Sequence, residues 1–186
     1  MKVSESQIVG WIEEYLGSEQ STKVKERRLS NKLIHRLQCD RKKDGVNVSA
    51  MWLQVINDHL HTFDGCQDFK SIIDKVRKLA SDIYGIGELT IYDTATCIGC
   101  PLGVYPDEVF IHAGTKVGAR ALDVKGNVVS KDKFVKVCKA FEKLSPIQIE
   151  DFLCIYSSCL SADTDKCNKI SKTGCGIKTG RCRCDL

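Results

Sequence analysis

Apolar residues recur at helical spacing through most of the chain, with polar residues between them. Ile8, Ile12, Tyr15 and Leu16 share one face of a helix predicted over 4–16, which Ser4 can cap and Gly17 can stop. A second helix is predicted over 22–39, with Val24, Leu29, Leu33, Ile34 and Leu37 inward and the basic residues outward. A charged loop from Asp40 to Asn47 follows. Ser49 opens a helix carrying Trp52, Val55, Ile56 and Leu60, and Asp64-Gly65 breaks it. Phe69, Ile72, Ile73, Val76, Leu79, Ala80 and Ile83 predict an amphipathic helix that runs into Tyr84, and 88–99 predicts its successor, ending near Gly99 and Pro101. Val109-Phe110-Ile111 is short, apolar and reads as extended. Residues 114–122 read as helix, weakened by Gly114 and Gly118, and Gly126-Asn127 marks a turn. A helix over 131–143 puts Phe134, Val135, Cys138, Phe141 and Leu144 to one side, and Pro146 starts a last helix reaching about Ser158. Residues 161–186 have almost no apolar side chains and cannot build a core unaided. The fold class expected is mostly α: a compact multi-helix domain over 1–160, with a helix-hairpin-helix at about 66–99, and a Cys/Lys-rich C-terminal tail over 161–186.

With 186 residues, 42% of them hydrophobic, a single core needs no staple, since a chain of this size buries about 70% of its unfolded surface. Met1 to Ser6 has a charge but no apolar run behind it, and no stretch approaches the ~18 apolar residues of a membrane span. The expectation is an intracellular protein, cytoplasmic or nuclear, with no membrane partner. The net charge of +4 says little, but its distribution says more. Nine Lys or Arg against two acids lie between Lys23 and Lys43, and six with no acid between Lys166 and Arg183. The stretch 44–165 holds 12 basic and 17 acidic residues. Two basic patches flanking a mildly acidic body are the footprint of a polyanion partner, or equally a solvated helix face and a basic tail.

The turn Tyr84-Gly85-Ile86-Gly87-Glu88-Leu89-Thr90 joins two amphipathic helices. Each glycine can take positive φ and leaves its amide unshielded by a Cβ. Ile86 anchors the turn from beneath. The exposed amides then open the following helix, where the dipole also favours an anion such as a phosphate oxygen. Without a ligand, the same sequence makes a tight αα turn.

Residues 79–99 resemble the helix-hairpin-helix of the base-excision DNA glycosylase superfamily, the endonuclease III-like group. There the hairpin reads apolar-x-Gly-apolar-Gly, followed shortly by Thr and a small residue. The resemblance extends over about 66–159. In that family an apolar strand-like stretch and a catalytic aspartate follow the hairpin, then a helix with a basic residue, and Tyr105 to Val117 occupies that place here. The resemblance implies double-stranded DNA as partner, with Tyr84, Gly85, Ile86, Gly87, Thr90, Lys116 and Arg120 as DNA-binding candidates. Two residues compete for the catalytic role. Asp107 matches by count from the hairpin, and would stabilise a glycosidic cation or activate water. His112 matches by local pattern, and could act as base near neutral pH. Their structural alternatives are a helix cap for Asp107 and a satisfied core histidine for His112. The bifunctional members use a lysine two positions after the second hairpin glycine. Leu89 stands there, so the resemblance implies a DNA N-glycosylase without lyase activity, or a relative that keeps only the docking surface. Glu88 would oppose a phosphate unless its carboxylate turns away.

Eleven cysteines are expected to be reduced, with burial or metal before disulfides. Cys97-Ile98-Gly99-Cys100 has the spacing of a metal or redox pair but sits at the end of a core helix, which favours burial. In the tail, Cys159, Cys167, Cys175, Cys182 and Cys184 are candidate ligands of a structural zinc. The spacing does not match the iron–sulfur members of the glycosylase group, and a metal-free basic tail is the alternative. The competing functional reading is a protein-interaction module that uses the helix pair as a packing unit. Salt separates the two, because only phosphate binding falls steeply with ionic strength.

Overall fold

A computed structural model describes residues 3–26, 42–43 and 46–161. The elements, in chain order, are α1 (Glu5–Leu16), α2 (Glu19–Lys23), β1 (Lys42–Lys43), β2 (Val46–Asn47), α3 (Val48–His59), α4 (Phe69–Ala80), α5 (Glu88–Gly99), β3 (Val109–Phe110), α6 (Lys116–Ala121), β4 (Val128–Val129), α7 (Lys131–Val137), α8 (Pro146–Ile155) and α9 (Ser157–Leu160). The protein is mostly helical, as its periodicity predicts. Among the described residues no helix is long and apolar enough to cross a membrane. The basic segment 27–41 and the tail 162–186 lie outside the described residues.

Within the span 1–160, the described residues group into two compact units. One combines those of Met1–Glu26 and Pro106–Ile177, the other those of Arg27–Tyr105.

The first unit is organised around α8. Ile147, Ile149, Phe152 and Leu153 are fully buried, and the last three meet Ile8, Ile12 and Tyr15 of α1, Val109 of β3 and Phe134 of α7 in one apolar cluster. Phe152 lies within 4.7–6.0 Å of the rings of Tyr15, Phe141 and Tyr156, mostly edge to face. Ser4 closes a capping box with Gln7 at the start of α1, and Ser145 does the same with Gln148 at the start of α8. The two-residue strands β3 and β4 pair antiparallel, Val109 with Val129 and Phe110 with Val128, and Ile111 extends the ladder by donating to the Asn127 carbonyl at 2.7 Å. The helix expected over 131–143 breaks at Cys138, whose backbone is extended, and resumes as a 3-10 turn over Lys139–Lys143. The break keeps Phe134, Cys138 and Phe141 all buried, which a straight helix of that length does not require.

The second unit packs α3, α4 and α5. Asp68 caps α4 by accepting from the Ser71 amide at 2.7 Å, and the Ser71 hydroxyl, which donates to its other oxygen at 2.7 Å, together with that amide holds its carboxyl below the usual range. Phe69, Ile72, Ile73 and Val76 form the buried stripe of α4 and pack on α5. Each such side chain contributes about 1.5–3 kcal/mol by burial, so this stripe holds the helix pair together. Trp52 of α3 is buried, and its indole N–H donates to Thr94 Oγ1 at 3.1 Å. From Ile91 to Gly99, α5 is buried except for the half-buried Asp93.

Candidate functional site

The hairpin between α4 and α5 has two glycines that do different work. Gly85 has φ +94°, a left-handed conformation that favours glycine. Gly87 is extended, so its backbone demands nothing, but nothing lies within 4 Å of where its Cβ would stand. It is the N-cap of α5, and no side chain caps that end. The amides of the first turn therefore begin in open surroundings. α4 ends at Ala80, three residues short of Ile83, because Ile83 N–H bonds back to the Ala80 carbonyl at 3.0 Å and turns the chain. Ile86 and Thr90 are half-buried, whereas Tyr84 is 76% and Leu89 41% exposed.

Glu88 is drawn back onto α4. Its carboxylate meets Arg77 at 3.1 Å, and Arg77 also meets Asp74 at 3.0 Å. These partly exposed pairs are worth only about 0.2–1 kcal/mol each and do not hold the hairpin. Their consequence is electrostatic, because a guanidinium stands beside the one carboxylate at the start of α5.

The other candidates belong to the first unit. Asp107 is exposed in a bend before β3 and caps no helix, since no helix begins there. Lys116 and Arg120 are exposed and one turn apart on α6. His112 follows β3 with its side chain 12% exposed, and its Nε2 lies 2.6 Å from Oε1 of the buried Glu150 on α8. At that distance the imidazole donates whenever the carboxyl is ionised. Thr115 fixes the loop: its Oγ1 accepts from the His112 amide at 2.9 Å and donates to the His112 carbonyl at 3.2 Å.

Glu150 is one of three polar side chains buried on α8, and none of the three was a sequence candidate. Gln148 donates to the Ser21 carbonyl at 2.9 Å and accepts from Ser145. Asp151 accepts from the Tyr15 hydroxyl at 2.9 Å and from the Gln20 amide at 3.2 Å. The only sequence hint was three polar residues interrupting the apolar run of the last helix.

Cys97 and Cys100 are buried thiols, as the position of their motif suggests. Burial pushes the Cys138 thiol up. Of the proposed zinc ligands, Cys159 is disulfide-bonded and so offers no thiolate in this structure. Cys167, Cys175, Cys182 and Cys184 lie outside the described residues. Among the described residues no group of three or more His, Cys, Asp or Glu is placed to hold a metal ion.

Compared with known proteins, the chain matches no family model, no curated protein and no solved structure.

Proposed function

We propose that this protein binds double-stranded DNA and docks on the phosphate backbone through the hairpin at 84–90, in the manner of the helix-hairpin-helix DNA glycosylase superfamily. One observation carries the reading: a left-handed Gly85 leads through an unobstructed Gly87 into an uncapped helix start. Amides without a Cβ beside them admit a phosphate oxygen, and the helix dipole favours it. The pairing of Glu88 with Arg77 supports the reading by offsetting the carboxylate nearest that site. Base excision is a further step of the same proposal. Asp107, exposed, or His112, hydrogen-bonded to Glu150, would serve as the acid or base, and Leu89 leaves no lysine for a lyase route.

The exposed Tyr84 and Leu89 favour a second reading, in which an apolar protein partner covers the hairpin tip. A titration against a labelled duplex of ~25 base pairs separates the two. Binding should weaken at least about tenfold between roughly 50 and 200 mM salt, and a folded Gly85→Val, Gly87→Val double variant should lose it. Binding that ignores salt, or a folded variant that binds equally well, would sink the DNA reading and leave the packing module.

A further inference from the structure

The turn that leads from α3 into α4 brings a thiol and an amine together. A 3-10 turn over Leu60–Phe63 follows α3, and Gly65, at φ +78°, bends the chain back so that the Cys66 amide donates to the Phe63 carbonyl at 3.1 Å. Lys75, exposed on α4, returns its side chain to this turn. Its ammonium donates to the Thr62 carbonyl at 2.5 Å and to Cys66 Sγ at 3.3 Å, and it stands 6.0 Å from the centre of the Phe63 ring. Carbonyl and ring thus hold a side chain that is ordinarily free to swing. The neighbouring acids are engaged elsewhere: Asp68 caps α4 through Ser71, and Asp74 pairs with Lys70 and Arg77. Cys66 is a free, partly exposed thiol, within reach of small solutes. Its sulfur and the Lys75 nitrogen already stand within the ~3–3.5 Å at which reacting atoms are poised to bond.

We propose that Cys66 and Lys75 form a redox-modification site, at which hydrogen peroxide oxidises the thiol and the lysine amine then captures the sulfur as a sulfenamide. In the first step a sulfur lone pair attacks one peroxide oxygen, the O–O bond breaks, and the thiol proton leaves with the departing hydroxide as water. Sulfur is oxidised to the sulfenic acid and the peroxide is reduced. In the second step Lys75 gives one proton to solvent, and its nitrogen lone pair attacks the sulfur. The S–O bond breaks, and the hydroxide takes a second nitrogen proton and leaves as water. This step transfers no electrons to an outside acceptor, so one peroxide suffices. A sulfenic acid ordinarily condenses with a second thiol or goes on to the sulfinic acid. Here Cys97 and Cys100 of the same unit are buried, whereas the amine already touches the sulfur. The S–N bond would tie the turn at 62–66 to the middle of α4, and a thiol reductant would release it by attack on the sulfur. The proposal uses nothing from the hairpin and stands apart from DNA binding.

The test exposes the full chain to hydrogen peroxide, at a dose that fully oxidises a simple thiol in a parallel tube, followed by catalase and digestion without reductant for mass spectrometry. Trypsin cuts after Lys43, Lys70 and Arg77, so the new bond should join peptide 44–70 to peptide 71–77, with Lys75 uncleaved. The joined pair should be lighter than the sum of its peptides by two hydrogens, and dithiothreitol should release both. A wild-type Cys66 recovered only as sulfinic acid, as a disulfide or unmodified overturns the proposal, and this arm needs no variant. A joined pair that carries an extra oxygen overturns the S–N bond. In Lys75→Arg, which keeps the positive charge, the joined pair should vanish and Cys66 sulfinic acid should rise at least about fivefold. A Lys75→Arg protein that is folded by circular dichroism but forms no more sulfinic acid than wild type removes Lys75 as the group that captures the sulfur and overturns the assignment.

Discussion

Each unit buries one helix on nearly every side, α5 in one and α8 in the other, and the two meet burial with opposite chemistry. α5 uses small residues: Thr94, Ala95, Thr96 and Gly99 let neighbours come close, the Thr94 hydroxyl accepts from Trp52, and the Thr96 hydroxyl donates to the Asp93 carbonyl. α8 carries Gln148, Glu150 and Asp151 into the interior and ties them respectively to Ser21, His112 and to Tyr15 with Gln20. A buried polar group is costly unless paired, so each tie on α8 penalises any arrangement that puts a different segment there. α5 shows how a helix is packed. α8 shows how a helix specifies what packs on it.

The largest effects should come from the one device the two helices share. A Cβ at Gly99 would meet the Val104 carbonyl oxygen at 2.5 Å, and one at Gly118 would meet that of Leu153 at 2.6 Å. Backbone cannot rotate away as a side chain can. Gly99→Ala and Gly118→Ala should therefore each lose about 2–4 kcal/mol in urea unfolding, although alanine is the better helix former. A neutral result at either site would mean that its helix does not make the close approach. Next comes the contrast itself. Asp151→Ala strands the Tyr15 hydroxyl and the Gln20 amide and should cost about 2–3 kcal/mol, whereas Thr94→Val strands only the Trp52 indole and should cost about 1. Equal losses would erase the distinction between a specifying helix and a packing helix. The smallest effect is at Tyr156, stacked on Phe152 at 4.7 Å. Burial, with the Glu14 carboxylate adding to it, pushes its hydroxyl up. A raised folded value means that the unfolded chain ionises first, so stability is full below about pH 10 and declines as the pH climbs past it. Thermal melts should show that alkaline decline flattened in Tyr156→Phe, with little change near pH 7. An undiminished decline would show that the hydroxyl does not report on the folded core.

Much of this architecture was legible in the sequence, because amphipathic periodicity is a local property. α1 with its Ser4 cap, α4 with its apolar stripe, the Gly85 turn and α8 opening at Pro146 all followed from spacing and caps. What escaped were features decided by distant residues. Cys138 breaks a helix whose periodicity is unbroken, because a tertiary core places it between Phe134 and Phe141. Gly114 and Gly118 counted against a helix by propensity, yet they are what lets α6 lie on α8. His112 was read as base or core residue from its surroundings in the chain, and no local rule pointed to Glu150, 38 residues away. The division into two units was likewise hidden, since it depends on which segments meet.

That division has a consequence for how the chain reaches its fold. The Tyr15–Asp151 and Gln148–Ser21 hydrogen bonds join residues 136 and 127 positions apart, whereas the described contacts of the other unit fall between 42 and 105. Closing a long loop delays the contacts that reward it, and a ribosome delivers α8 well after α1. Of the described helices, the one made first is therefore the one that waits longest. During synthesis, Ile8, Ile12 and Tyr15 remain without their native partners until nearly the whole described chain has emerged, so in the nascent protein the exposed apolar face belongs to α1.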